Sequence, residues 1–199
     1  FVVPGNQYWG SDTLGNEDRY RLPTDDSAIL RWYQNKGGFF SKAAGSITVD
    51  AGCEYGGGVD CGSQYFLGFM TYERFWFARD HVAFTLGGGA ISNPGRYLVL
   101  MPPINGATAF SGTPYFTYNP GDRYGAWDMQ IAGDWMPRDF VTFRLEFNHR
   151  AANVPYFSGP QGVTPPGGNQ GAPGSLVDGW KPDLVKSEDR LTAAMLVRF

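Results

Sequence analysis

Eight ionisable residues sit inside alternating, largely apolar stretches of this 199-residue chain: Asp50, Glu73, Asp128, Asp134, Arg144, Glu146, Arg190 and Arg198. An extended chain sends successive side chains to opposite faces, so residues two apart share one face. Read that way, all eight belong to an inward phase. Charges of both signs at strand centres need a face that meets water or pairs internally, because an unpaired charge against hydrocarbon costs several kcal/mol. Two arrangements satisfy this. One is a water-filled passage whose transverse field sorts small hydrophilic solutes. The other is a closed interior of structural ion pairs, in which Arg144 and Glu146 simply pair across the sheet.

The remaining reactive residue types point away from catalysis. The chain has no phosphate-binding loop, no GxSxG, no HExxH and no Cys-x-x-Cys. His81 falls in a turn and His149 at a strand end, so each reads as an interfacial residue. A non-enzymatic protein with no cofactor and no metal is expected. Cys53 and Cys61 flank EYGGGVD, a glycine-rich turn with no histidine beside it. Two cysteines so placed read as a disulfide across a loop tip, which implies export to an oxidising compartment; two free thiols are the alternative.

The elements that must carry these residues are strands. The last thirteen residues, SEDRLTAAMLVRF, place Leu191, Ala193, Met195, Val197 and Phe199 on one phase and Arg190, Thr192, Ala194, Leu196 and Arg198 on the other. Similar alternation predicts strands over 27–34, 41–53, 64–77, 82–92, 124–136, 140–150 and 188–199. In 64–77 both phases are apolar. Thr71 and Glu73 are assigned inward there, with Phe66, Met70, Tyr72 and Trp76 outward and Arg74 reaching to a membrane edge. Trp76, Trp127, Trp135, Phe75, Phe77 and Tyr124 lie near strand ends, where an aromatic girdle belongs. Connections near 35–38, 78–81 and 137–139 are short, whereas 53–63, 92–123 and 151–186 are long. Short and long alternate strictly, the asymmetry of outer-membrane barrels with short periplasmic turns and long extracellular loops.

Composition agrees with such an assignment. Aromatics make up 16% and charged residues 18%, with 28 Gly and 14 Pro, too aromatic for a disordered chain and too rich in Gly and Pro for a helical one. Mean hydropathy is −0.30, but a barrel spends only alternate residues on lipid and escapes such averages. A net charge of −3 without a basic cluster in the sequence argues against a nucleic-acid partner.

The segments FSKAAGSITVDAGCEYGGGVDCG at 40–62, SQYFLGFMTYERFWF at 63–77, LGGGAISNPGRYLVLMPPINGA at 86–107, VTFRLEFNHRAANVPYFSG at 141–159 and GVTPPGG at 162–168 resemble the C-terminal half of the OmpL-like β-barrel porin family of Gram-negative bacteria. The likeness spans most of residues 25–199. It implies an all-β fold, an antiparallel meander transmembrane β-barrel in the bacterial outer membrane, with about seven strands here as a C-terminal part of a larger barrel. Residues 1–25 are then an extracellular loop segment, and 26–199 the barrel portion with extracellular loops at 92–123 and 151–186. Asp50, Glu73, Asp128, Asp134, Arg144, Glu146 and Arg190 would line the pore. Phe199, Val197 and Met195 would form the C-terminal signal read by the barrel-assembly machinery. The expected partners are outer-membrane lipid, that machinery and small hydrophilic solutes, with no nucleic acid. A structural or adhesive barrel whose long loops bind an external partner is the alternative. An odd strand count leaves partner strands to be supplied from upstream. An eighth, weakly alternating, could be drawn from Asn6 to Ser11.

Overall fold

A computed structural model describes residues 5–6, 19–94, 105, 123–172, 175 and 177–199. Its main sheet contains β1 (Gly5–Asn6), β2 (Tyr20–Gln34), β3 (Phe40–Tyr55), β4 (Tyr65–Phe77), β5 (Val82–Pro94), β6 (Arg123–Arg138), β7 (Val141–Ala152) and β10 (Ser187–Val197). These run as an antiparallel meander, each strand beside its neighbour in sequence, with β10 closing onto β7. Apart from the two-residue β1, they are the seven strands the alternation predicts. The sheet is open: β10 pairs with β7 on one edge and with no other described strand.

Two boundaries differ from expectation. β2 starts at Tyr20 rather than Ser27, because Tyr20 to Asp26 pair residue by residue with Tyr55 to Val49 of β3. Cross-strand pairing there overrides the Asp and Pro content that reads as loop. The region after β7 is not wholly loop either, since β8 (Phe157–Ser158) pairs with β9 (Leu184–Val185) in a small separate ribbon. Of the segment Asn6 to Ser11, Asn6 pairs with Tyr20, and the rest lies outside the described residues.

The register assigns every strand residue a face. On one face lie Leu145 between Gly133 and Ala193, Phe143 between Trp135 and Met195, and Phe147 between Ile131 and Leu191. The same face continues through Leu86, Phe84 and Val82 of β5. Its large side chains are exposed: Leu145 by 56%, Met195 by 62% and Trp135 by 57%. Among the described residues, the buried apolar side chains are instead Ala43, Val59, Ala83, Tyr124, Ala132 and Phe157. Most are small or lie at the loop end. This inverts the arrangement of a water-soluble domain, whose Leu, Ile and Phe fill the interior.

Aromatic rings gather at the short-turn end of the apolar face. Tyr33 stacks on Phe40 at 4.6 Å between centroids, Phe40 meets Phe77 at 5.3 Å, and Trp135 stacks on Phe143 at 5.4 Å. At the long-loop end Tyr20 stacks on Tyr55 at 5.6 Å. Two residues expected in this girdle, Trp76 and Tyr124, point to the other face, as their register with Ala83 and Asn93 dictates. Sharp bending is permitted at Gly87, Gly88 and Gly89, where an added Cβ would collide with the backbone oxygens of Thr71, Asp128 and Phe69.

Candidate functional site

The polar face carries most of the predicted charges. Asp50, Asp128, Asp134, Arg144, Glu146 and Arg190 all project to it, as does Arg198 just past β10. Glu73 does not. It lies opposite Leu86 on the apolar face, and Arg74, opposite Thr85, takes the place on the polar face instead. The assignment of 64–77 is therefore reversed: Thr71 and Glu73 lie on the apolar face, while Phe66, Met70, Tyr72, Arg74 and Trp76 lie on the polar one. The cause is pairing. β4 is apolar on both phases, so its own pattern cannot choose a face, and its register with β5 does.

On the polar face, opposite Ala83, Asp134 is buried between two guanidinium groups. It accepts hydrogen bonds from Arg144 Nε at 2.7 Å and Nη2 at 2.9 Å, and Arg74 Nη2 stands at 2.5 Å. Arg74 reaches across β5 to do so and also donates to Thr85 Oγ1 at 2.9 Å. Such a carboxylate holding two forks satisfies both its oxygens with charge-assisted bonds. Glu146, one residue further along this face of β7, lies 3.9 Å from Arg144.

Toward the short turns the Trp76 ring lies between cations, with Lys42 Nζ and the Arg74 guanidinium each 5.0 Å from its centroid. Lys42 also pairs with Asp80 at 2.7 Å, and Asp80 accepts from Ser41 Oγ at 2.8 Å. Burial pushes the Asp80 carboxyl up, but the hydrogen bonds from Lys42 and Ser41, with the charges of Lys42 and His81, outweigh it and hold Asp80 below the usual carboxylate range.

Toward the long loops the cations Arg21, Arg150 and Arg190 meet carboxylates. Glu54, fully buried, accepts from Arg21 Nη2 at 2.6 Å and from Gln64. Arg150 pairs with Glu188, which also lies 3.5 Å from Arg190. Asp128 accepts from the Gly89 N–H at 2.8 Å. Asp50 faces Asp25 across β2 and β3. The segment after β7 folds over this end: Phe157 packs under the Arg150 guanidinium at 5.4 Å, and Tyr156 meets Tyr124 at 5.3 Å. Burial pushes the Tyr156 hydroxyl up from its ordinary value. Buried Asn105 ties the two longest connections together, its Nδ2 donating to Ser175 O at 2.9 Å and its Oδ1 accepting from Gln170 N at 2.8 Å.

Cys53 and Cys61 form a disulfide with Cα atoms 4.9 Å apart, at the mouth of the β3–β4 hairpin. His149 sits on the apolar face against the Trp127 ring and 2.7 Å from Asp189. His81 Nδ1 contacts the Ala78 carbonyl at 2.9 Å. Neither approaches a nucleophile by any bond described. Among the described residues no cluster of His, Cys, Asp and Glu is placed to hold a metal ion.

The alternation left out further charged residues of this face, among them Arg21, Glu54, Arg150 and Glu188 toward the long loops and Lys42, Arg74, Arg79 and Arg138 toward the short turns. Arg74 had a signal, its place one residue from Glu73 in a strand of ambiguous phase. The others sit at strand ends, where periodicity is silent.

No family model, no curated protein and no solved structure matches this chain.

Proposed function

We propose that this chain is part of a bacterial outer-membrane β-barrel that acts as a porin-like channel for passive diffusion of small hydrophilic solutes. One observation carries the reading: a single sheet turns most of its exposed Leu, Phe and Trp to one side and most of its ionised groups to the other. Contiguous apolar surface beyond a few hundred Å² is rare on soluble monomers, and alternation of lipid-facing and lumen-facing residues is the barrel pattern. The dimensions fit as well. The 13-residue β4 spans about 40 Å at roughly 3.3 Å per residue, or about 30 Å along the normal at a tilt near 40°, close to the hydrocarbon thickness.

Curvature toward the polar face supports closure. Ile29 of β2 and Arg144 of β7 line one cavity of about 320 Å³. Five strand spacings separate them, about 24 Å on a flat sheet. The free edge of β10 would be untenable in hydrocarbon, so closure requires further strands paired to it. Within this reading the likeness to OmpL-like porins gives the location, and Met195, Val197 and Phe199 form the signal for the assembly machinery. Single-channel recording on the full-length protein tests the function. Stepwise conductance, with heat-modifiable migration on a gel, is expected. A heat-modifiable barrel that never conducts would favour the structural or adhesive role.

A further inference from the structure

We propose that the short-turn end of the polar face is a binding site for a small oxyanion, a phosphate- or carboxylate-bearing solute. A basin of about 560 Å³ opens there, within the range of small-molecule pockets. Six cationic side chains line it: Lys42, Arg74, Arg79, Arg138, Arg144 and Arg198. Only three carboxylates do, Asp80, Asp134 and Asp139. Two of these are already engaged, Asp134 by Arg74 and Arg144 and Asp80 by Lys42. Arg79, Arg138 and Arg198 are exposed and have no ion-pair partner among the described residues. They are the positive charges left for a ligand.

The excess is local. At the other end of the same face the cations meet carboxylates directly, Arg21 with Glu54 and Arg150 with Glu188. The basin is also held in shape. Trp76 fixes Lys42 and Arg74 by its ring, and Asp134 orients the Arg74 and Arg144 forks. Above it the β4–β5 turn holds Ala78, Arg79 and Asp80 at φ of 52°, 56° and 69°. Three consecutive non-glycine residues in the left-handed region are unfavourable unless their surroundings impose them. Here the Ala78 N–H donates to Phe39 O at 2.7 Å while Asp80 is tied to Ser41 and Lys42. The outcome is that Arg79 lines the basin. Planar guanidinium forks match the oxygens of a phosphate or carboxylate, which selects oxyanions over halides.

The solute role of this site rests on the channel reading, whereas binding does not require conduction, and the test separates them. Inorganic phosphate is titrated calorimetrically into the full-length protein in detergent, beside the triple variant R79Q/R138Q/R198Q, the charge-retaining variant R79K/R138K/R198K and the loop variant Lys181→Gln. Saturable binding is expected in the native protein, weakened at least tenfold in the glutamine variant, weakened less in the lysine variant and unchanged in Lys181→Gln. The anion-to-cation permeability ratio should fall in the glutamine variant alone. Phosphate binding without conductance would leave the site standing and remove the channel. Conductance with no phosphate isotherm, or with one that the glutamine substitutions leave unchanged, would overturn the site and leave the channel.

Discussion

Asp134 and Glu73 are carboxylates on strands separated only by β5, and the two faces of the sheet treat them differently. Asp134 is buried on the polar face and meets two guanidinium groups. Glu73 stands on the apolar face, where it lies over Gly45 and accepts a hydrogen bond from the Trp32 indole N–H at 3.0 Å. Trp32 reaches it across β3 from a bulge in β2 and meets Phe75 edge-on at 6.3 Å. One face stabilises charge with opposite charge. The other does so with a neutral donor and a hollow that only glycine leaves open. Glu73 is held on the apolar face where the backbone makes room, as Asp189 is held there beside His149.

The largest effect expected from breaking this contrast is at Asp134. Asp134→Ala leaves Arg74 without its carboxylate and Arg144 with Glu146 alone at 3.9 Å, and loss of one member of a buried pair costs about 3 kcal/mol or more. Urea midpoints of the full-length protein in lipid vesicles measure it, and a change below about 0.5 kcal/mol would contradict the role assigned to the triad. Next comes Gly45→Val. Its side chain would occupy the space of the Glu73 carboxylate, forcing it off Trp32 at a cost of about 2 kcal/mol. The double variant Gly45→Val with Glu73→Ala should recover most of that loss, and no recovery would mean that Gly45 serves some other contact.

A smaller effect separates charge from hydrogen bonding at Glu73. Trp32→Phe keeps the ring and removes the donor, with a loss of about 1 kcal/mol. Glu73→Gln keeps an acceptor without the charge and should be neutral or stabilising in a bilayer. A destabilised Glu73→Gln would show that the carboxylate charge itself is needed. The smallest effect is pH-dependent. Asp80 has its folded pKa held below the unfolded value near 3.8, so its pairing contributes stability above that pH and loses it as pH falls through the folded value. The stability gap between the native protein and Asp80→Asn should be a few tenths of a kcal/mol at neutral pH and close as the pH drops through the folded value. A gap that widens on acidification would reverse the sign.

Much of this organisation is legible in the order of residues. In Trp127–Ile131 of β6 and Val141–Asn148 of β7 apolar and polar residues alternate without interruption, so strand extent and face follow from periodicity. The terminal strand likewise sends Leu191, Ala193, Met195 and Val197 to the apolar face and Arg190 to the polar one. The turn chemistry between Cys53 and Cys61 was sufficient to anticipate their bond. These are local properties, set by what a pleated chain does with two-residue alternation.

Only the tertiary structure decided the rest. QYFLGFMTYERFWF has no polar phase to tell its two faces apart, so the positions of Glu73 and Arg74 depend on register with β5 and on Asp134 two strands away. The basic basin is equally invisible in sequence, since Lys42 and Arg198 are separated by most of the chain and meet only because the sheet curls. Alternation specifies which side chains share a face within one strand. Which faces join, and which charges then confront one another, is set by hydrogen-bonded register and curvature, which belong to pairs of strands rather than to any one of them.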